Sequence, residues 1–159
     1  MAAAREIADT PEAREIAELI ARPRAAQAQI ENYTQEQVDR LIRGMVYAVA
    51  REDVAEKIAQ HTVDETQLGN YDGKYLKIFR KTRATLMDII DDKSVGVIEE
   101  DPERQIVKIA KPVGVIGALS PSTNPEATPV IKAINAVKGR NSIIVAPHPR
   151  AKITNKMIC

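Results

Sequence analysis

Two short polar stretches hold the residues of this chain best suited to chemistry. Ser120, Pro121, Ser122, Thr123 and Asn124 follow one apolar run, and Ala146, Pro147, His148, Pro149 and Arg150 close a second. The first stretch offers hydroxyls and a side-chain amide, groups that serve a polar ligand or a helix cap. The second offers a cation and a single imidazole. A lone histidine is ordinarily structural, and no His/Cys cluster here has the spacing of a metal site, so no metal is expected. One thiol remains, Cys159, the only cysteine and the last residue.

The elements that must hold these stretches are readable. Val113, Gly114, Val115, Ile116, Gly117, Ala118 and Leu119 form an almost unbroken apolar run, the pattern of a strand covered on both faces in a parallel sheet. A helical pattern runs from Asn124 to Val137, with Val130, Ile131, Ile134 and Val137 on one face and Gly139 placed to end it. Ser142, Ile143, Ile144, Val145 and Ala146 are a second buried strand. Two such strands joined by a helix are parallel. Ligands of these sheets sit beyond the carboxyl ends of the strands, which brings residues 120–124 and 147–150 to one site.

Residues 1–92 read differently, as a helical region poor in glycine. Thr10 caps a helix with Pro11 in its first turn and Ile16, Leu19 and Ile20 on one face; Pro23 restarts the path as a second short helix through Ile30. Thr34 and Gln37 have capping-box spacing ahead of Val38, Leu41, Ile42, Met45 and Val46. Glu52 and Asp53 suit the first turn of a helix that buries Val54, Ile58 and Val63, and Leu68, Gly69 and Asn70 break it. A long helix follows from Tyr71 to about Ile90, with Tyr75, Leu76, Phe79, Leu86, Ile89 and Ile90 as its apolar set and Lys77, Arg80, Lys81 and Arg83 as a solvated face. Residues 93–111 form a β-hairpin with Asp101, Pro102, Glu103 and Arg104 as its turn, a packing or subunit-contact element. Residues 112–159 then begin a dinucleotide-binding domain.

Composition narrows the function classes. A net charge of +1 leaves no electrostatic footprint for nucleic acid or an anionic membrane, and five aromatics with no Trp leave little for base stacking. No apolar run approaches the roughly 20 residues of a membrane span. The first 19 residues are charged throughout and lack the apolar core of a signal peptide. A single cysteine excludes a disulfide framework and fits a reducing cytoplasm.

The segments VGVIGALSPSTNP and KGRNSIIVAPHPRA carry a resemblance. They are similar to the aldehyde dehydrogenase superfamily. PSTNP and APHPRA resemble its coenzyme-A-acylating branch, because the hydrolytic branch has an aromatic before the asparagine and a lysine-proline pair after the second strand. The resemblance implies an α/β fold: a helical N-terminal region and a β-hairpin leading into the first β-α-β of a Rossmann-like cofactor domain. It gives Asn124 a role as donor to the aldehyde oxygen, alongside its role as a helix cap. It sets Ser120, Pro121, Ser122 and Thr123 along the nicotinamide-phosphate side of the cofactor, and Ala146, Pro147, His148 and Pro149 beside the adenosine ribose. No acid stands there to accept from a ribose diol and Arg150 is close, so the cofactor is NADP or NAD.

The implied reaction oxidises an aldehyde to its acyl-CoA through a cysteine thiohemiacetal and thioester, with coenzyme A as co-substrate. The residues from EDPERQ to EATP are most similar to sulfoacetaldehyde-oxidising members, with acetaldehyde and propionaldehyde as alternatives. The family's nucleophile lies far later in sequence than Cys159, which is expected as a buried helix residue. A helix from about Ala151 that stops on an apolar triplet, and a sheet of two strands, together suggest the N-terminal portion of a longer, homo-oligomeric enzyme. The competing expectation is a non-catalytic helical interaction protein with a degenerate nucleotide fold; microcompartment encapsulation is a minor one.

Overall fold

The structure, a computed structural model, describes residues 9–159. The expectation about a signal sequence rests in part on residues 1–8, which lie outside the described residues. Four helices come first: α1 (Pro11–Ile30), α2 (Gln35–Ala50), α3 (Glu52–Thr66) and α4 (Tyr71–Ile89). An antiparallel pair, β1 (Gly96–Asp101) and β2 (Ile106–Ala110), follows. Then come β3 (Val115–Leu119), α5 (Thr128–Lys138), β4 (Ser142–Ala146), a 3₁₀ turn (Pro149–Ala151) and α6 (Lys152–Ile158). Strands β3 and β4 pair in parallel, Val115 opposite Ser142 and Leu119 opposite Ala146.

Local chemistry fixes the helix starts. Thr10 Oγ1 accepts from Ala13 N at 3.2 Å with Pro11 next in line. Thr34 and Gln37 close a reciprocal capping box, and Asn70 Oδ1 accepts from Gly73 N at 2.8 Å. A Cβ on Gly73 would lie 2.9 Å from that amide oxygen, so glycine lets the cap close without displacing the Asn70 side chain. Pro23 does not restart the chain as expected: α1 runs through it unbroken. A proline removes one backbone donor and crowds the preceding turn, and the packing of α1 along β3 and β4 carries the helix past that defect.

The core lies where α2, α3 and α4 meet α5. Ile42, Val46, Ile58, Ile78, Val130 and Ile134 are its buried centre. Helix α4 packs its expected apolar set on the core, with Ile90 buried and Tyr75, Phe79, Leu86 and Ile89 partly so. Leu76, however, is 44% exposed, and the fully buried positions of the helix are Lys74, Ile78 and Thr82. Val63 is half-buried. The two-stranded sheet is also less covered than its apolar runs imply. Leu119 is 76% exposed, and every residue of β4 is half-buried or exposed. The cause is topological: each strand has one paired neighbour and one open edge.

One corner ties α1, α2, α4 and β2 to the β-α-β unit. Lys138 Nζ donates to Asp39 Oδ1 at 2.8 Å and to Ile90 O at 2.9 Å. Arg140 takes a left-handed conformation (φ 58°) and donates to Glu31 O and Ala110 O, tying the ends of α1 and β2 to the α5–β4 turn. Asn141 Oδ1 accepts from both Val113 N and Gly114 N, and its Nδ2 donates to Ala136 O. Gly139 ends α5 as expected, but by close approach rather than by positive φ. A Cβ there would meet Asn141 Nδ2 at 2.7 Å. Asn141→Ala strips two backbone donors of their acceptor, so it should cost about 2 kcal/mol in urea unfolding, whereas a loss within error would show the corner to be dispensable.

Candidate functional site

The parallel register puts the carboxyl ends of β3 and β4 side by side, and the chain seals them: Ser120 N donates to Ala146 O at 2.9 Å. The two loops of interest therefore leave the sheet from one edge, as expected from topology. Ser120 is buried, and its Oγ has no hydrogen-bond partner. Pro121 and Thr123 are exposed, and Ser122 and Asn124 are half-buried.

Helix α4 supports the first loop from beneath. Lys74 Nζ donates to Thr123 O at 2.7 Å and to Glu126 Oε2 at 3.2 Å. One turn on, Lys77 Nζ donates to Asn124 Oδ1 at 2.7 Å and lies 3.4 Å from Glu126 Oε1. Glu126 is fully buried and Lys74 is 2% exposed. Two ammonium groups thus face one carboxylate directly under the loop. Lys77, read from sequence as part of a solvated face, is instead a loop contact. The reason is spacing: at i and i+3 the two lysines share a side of α4, and the buried acid draws both.

The asparagine does not cap α5 with its side chain. Its backbone oxygen accepts from Ala127 N and Thr128 N, and the helix begins at Thr128 rather than at Asn124. The side-chain amide is turned to Lys77, and its Nδ2 makes only a long contact of 3.4 Å to Thr123 Oγ1. A shallow pocket of about 330 Å3 opens at Thr123, lined also by Lys74, Lys77 and the turn from Leu68 to Asn70; Asn124 is not part of its lining.

The second loop is braced from α3. His148 Nδ1 accepts from Arg150 N at 3.1 Å, closing the 3₁₀ turn. Arg150 Nη2 donates to Thr66 O at 2.9 Å, which draws the guanidinium toward the end of α3. Ala146 and Pro147 are exposed. Buried Asn155 on α6 donates to Pro125 O, linking the two loops from behind. Glu65 caps α6, accepting from Ile153 N, Thr154 N and Thr154 Oγ1. Burial pushes the Glu65 carboxyl up, but the Thr154 and Ile153 hydrogen bonds and nearby His61 outweigh it and hold the carboxyl below its ordinary 4.5.

Cys159 is exposed, not buried as expected, because it stands past the last turn of α6. Desolvation still raises its thiol pKa, which disfavours the thiolate. It lines an apolar cavity of about 450 Å3 with Met45, Val49, Val130 and Ile158, and no residue of either loop takes part. Among the described residues no group of three or more His, Cys, Asp or Glu could hold a metal ion. No helix described is long and apolar enough to cross a membrane.

No protein-family model matches the chain. Individual proteins do. The chain is 46% identical over 87% of its length to a sulfoacetaldehyde dehydrogenase of Acholeplasma sp, covering 28% of that protein. It is 48% identical over 86% of its length to the acetylating succinate-semialdehyde dehydrogenase of Clostridium kluyveri, covering 30% of it. An acetylating aldehyde dehydrogenase from Geobacillus thermoglucosidasius superposes with a TM-score of 0.85 at 34% identity, over 91% of this chain and 32% of that one. The chain belongs to the acylating aldehyde dehydrogenase family. It spans less than a third of the length of these relatives and corresponds to their N-terminal portion. More distant structures include an engineered glycolyl-CoA reductase with bound NADP+ and a Rhodopseudomonas palustris propionaldehyde dehydrogenase with bound CoA and an acylated cysteine. Each has a TM-score of 0.72 at 25% identity, over 90% of this chain and 32% of the other.

Two variants test this arrangement. Glu126→Ala leaves buried Lys74 without its counter-charge and should cost about 3–5 kcal/mol in denaturant unfolding; an unchanged midpoint would mean that the pair carries no structural weight. Glu65 has a depressed folded pKa, so its contribution is present above 4.5 and is lost as pH falls through the folded value. Glu65→Gln should lower stability by about 1–2 kcal/mol at neutral pH, with the gap to the parent narrowing below 4.5. A gap independent of pH would contradict the ionic cap.

Proposed function

We propose that residues 120–124 and 146–150 are the cofactor- and aldehyde-facing edge of an enzyme that oxidises an aldehyde to its acyl-CoA with NADP or NAD. In this reading the chain works with the segment that makes up the rest of its relatives' length, and that segment supplies the cysteine nucleophile. Coenzyme A takes the acyl group. The observation that carries the proposal is the attitude of Asn124: its amide oxygen is taken by Lys77, and its Nδ2 is left with one weak contact, to Thr123 Oγ1. An amide donor fixed there suits the oxygen that gains charge when a thiolate adds to an aldehyde carbonyl. One such preorganised donor is worth about 3 kcal/mol at the transition state.

The residues at the second loop fit a pyridine nucleotide. When bound, that cofactor accepts the hydride. Exposed Ala146 and Pro147 present an uncharged surface there, and Ser120 in the first loop adds a buried hydroxyl with no internal partner. No acid stands among residues 146–150, and Arg150 keeps further N–H groups free after bonding Thr66 O. This favours tolerance of a 2′-phosphate, so NADP and NAD are both retained. His148 acts as the local brace of the turn.

Sulfoacetaldehyde is the favoured substrate, by likeness to the Acholeplasma protein; succinate semialdehyde, acetaldehyde and propionaldehyde are the other members of the test panel. The β1–β2 hairpin exposes Val97, Ile106, Val107 and Ile109, which supports a contact between copies in a homo-oligomer. A reducing cytoplasm suits the single cysteine.

The test is NAD(P) reduction by the complete enzyme, dependent on aldehyde and coenzyme A. Asn124→Ala should lower kcat by about 100-fold to 1,000-fold with little change in KM. Full activity in that variant, or no aldehyde in the panel supporting turnover, would remove the proposal. The second outcome would favour a non-catalytic interaction protein.

A further inference from the structure

We infer that Lys77, seated by the buried Lys74–Glu126 pair, is the positioning residue that sets the direction and donor strength of the Asn124 amide. The inference rests on the reading of Asn124 given above and goes one residue deeper into the same site.

Only one end of the amide can face a lysine. An asparagine side chain presents an acceptor and a donor of nearly equal size, and either could point outward. An ammonium group has three donors and no acceptor. With Lys77 Nζ at 2.7 Å, the inner atom must be Oδ1, so Nδ2 is turned outward. Thr123 Oγ1, at 3.4 Å, is too distant to impose that choice by itself.

A lysine on a surface helix has a long, mobile stem and ordinarily fixes nothing. Lys77 differs because Glu126 Oε1 lies 3.4 Å from its ammonium, and that carboxylate is fully buried. Glu126 is itself held by Lys74, one turn earlier on the same face of α4. Lys74 also grips Thr123 O, the carbonyl immediately before the asparagine. One lysine therefore holds the loop backbone and the other holds the side chain, and a shared acid spaces them.

The contact also changes the chemistry of the amide. A charge-assisted hydrogen bond to the carbonyl oxygen draws electron density from the nitrogen and makes its N–H a better donor. Two cations against one anion leave an excess of positive charge beside the place where an oxyanion forms, where fixed charge has most effect.

A double-mutant cycle in the complete enzyme tests this, with Lys77→Met, Lys77→Arg, Asn124→Ala and the Met/Ala double variant. Lys77→Met keeps the side-chain stem and leaves the Lys74–Glu126 pair in place, so the fold should be retained, with the thermal midpoint lowered by less than in Glu126→Ala. Its kcat should fall about 10-fold to 100-fold, with KM unchanged. Lys77→Arg, which keeps a cationic donor, should recover much of that loss, and the double variant should be no slower than Asn124→Ala. Parent-like kcat in Lys77→Met, or losses that multiply in the double variant, would overturn the role of Lys77 while leaving Asn124 intact. Unchanged kcat in Asn124→Ala would instead bring down the reading of the site and this inference with it.

Discussion

A carboxylate with no access to water must be surrounded by donors, and the placement of Glu126 under the loop that ends β3 sets much else in this protein. Removing such a group from solvent costs several kcal/mol, recovered only when cations and hydrogen bonds converge on it. Two lysines from α4 supply the charge: almost wholly buried Lys74 hydrogen-bonds Oε2, and Lys77 stands 3.4 Å from Oε1, which has no hydrogen bond of its own. Because each lysine also bonds the loop, the same electrostatic requirement that orders the interior fixes Thr123 and Asn124. Stability and site geometry are here one constraint. The helical half of the chain thereby holds the candidate site as well as covering the sheet.

A second set of constraints acts at the opposite end of α5. Lys138, Arg140 and Asn141 satisfy the ends of α1, α4 and β2 and the entry to β3, so the β-α-β unit is locked to the helices at both ends of its connecting helix. The sheet itself contributes little cover, since both strands keep an open edge and Leu119 stands in solvent. Rigidity at the loops comes from side chains donated by α3, α4 and α6 rather than from the breadth of the sheet.

Much of this was legible from residue types and spacing. The parallel strand pair, its connecting helix and the meeting of residues 120–124 with 146–150 follow from two apolar runs and the rule for ligand sites in such sheets. The capping box at Thr34 and the hairpin around Pro102 were equally plain. The buried polar positions of α4 were not, because Lys74 and Thr82 count as polar in any hydropathy pattern while Leu76, which is exposed, does not. A signal did exist: Glu126 is a lone acid between two prolines at the start of an apolar helix, and a buried acid demands a cation. Pro23 misled because tertiary packing can carry a helix past one missing donor. Cys159 misled because its apolar neighbours Met157 and Ile158 suggest a burial that the last turn of α6 does not supply.

The central claim is that the Asn124 amide nitrogen, turned outward by its contact with Lys77, receives the oxygen of the reacting aldehyde beside a pyridine nucleotide. A crystal structure of the complete enzyme, trapped as the thioester with NADP bound, tests it most directly. The account requires the thioester oxygen within about 3 Å of Asn124 Nδ2, with the cofactor lying across both loops. An acyl oxygen bonded elsewhere, with Nδ2 turned inward or the nucleotide clear of residues 146–150, would contradict it.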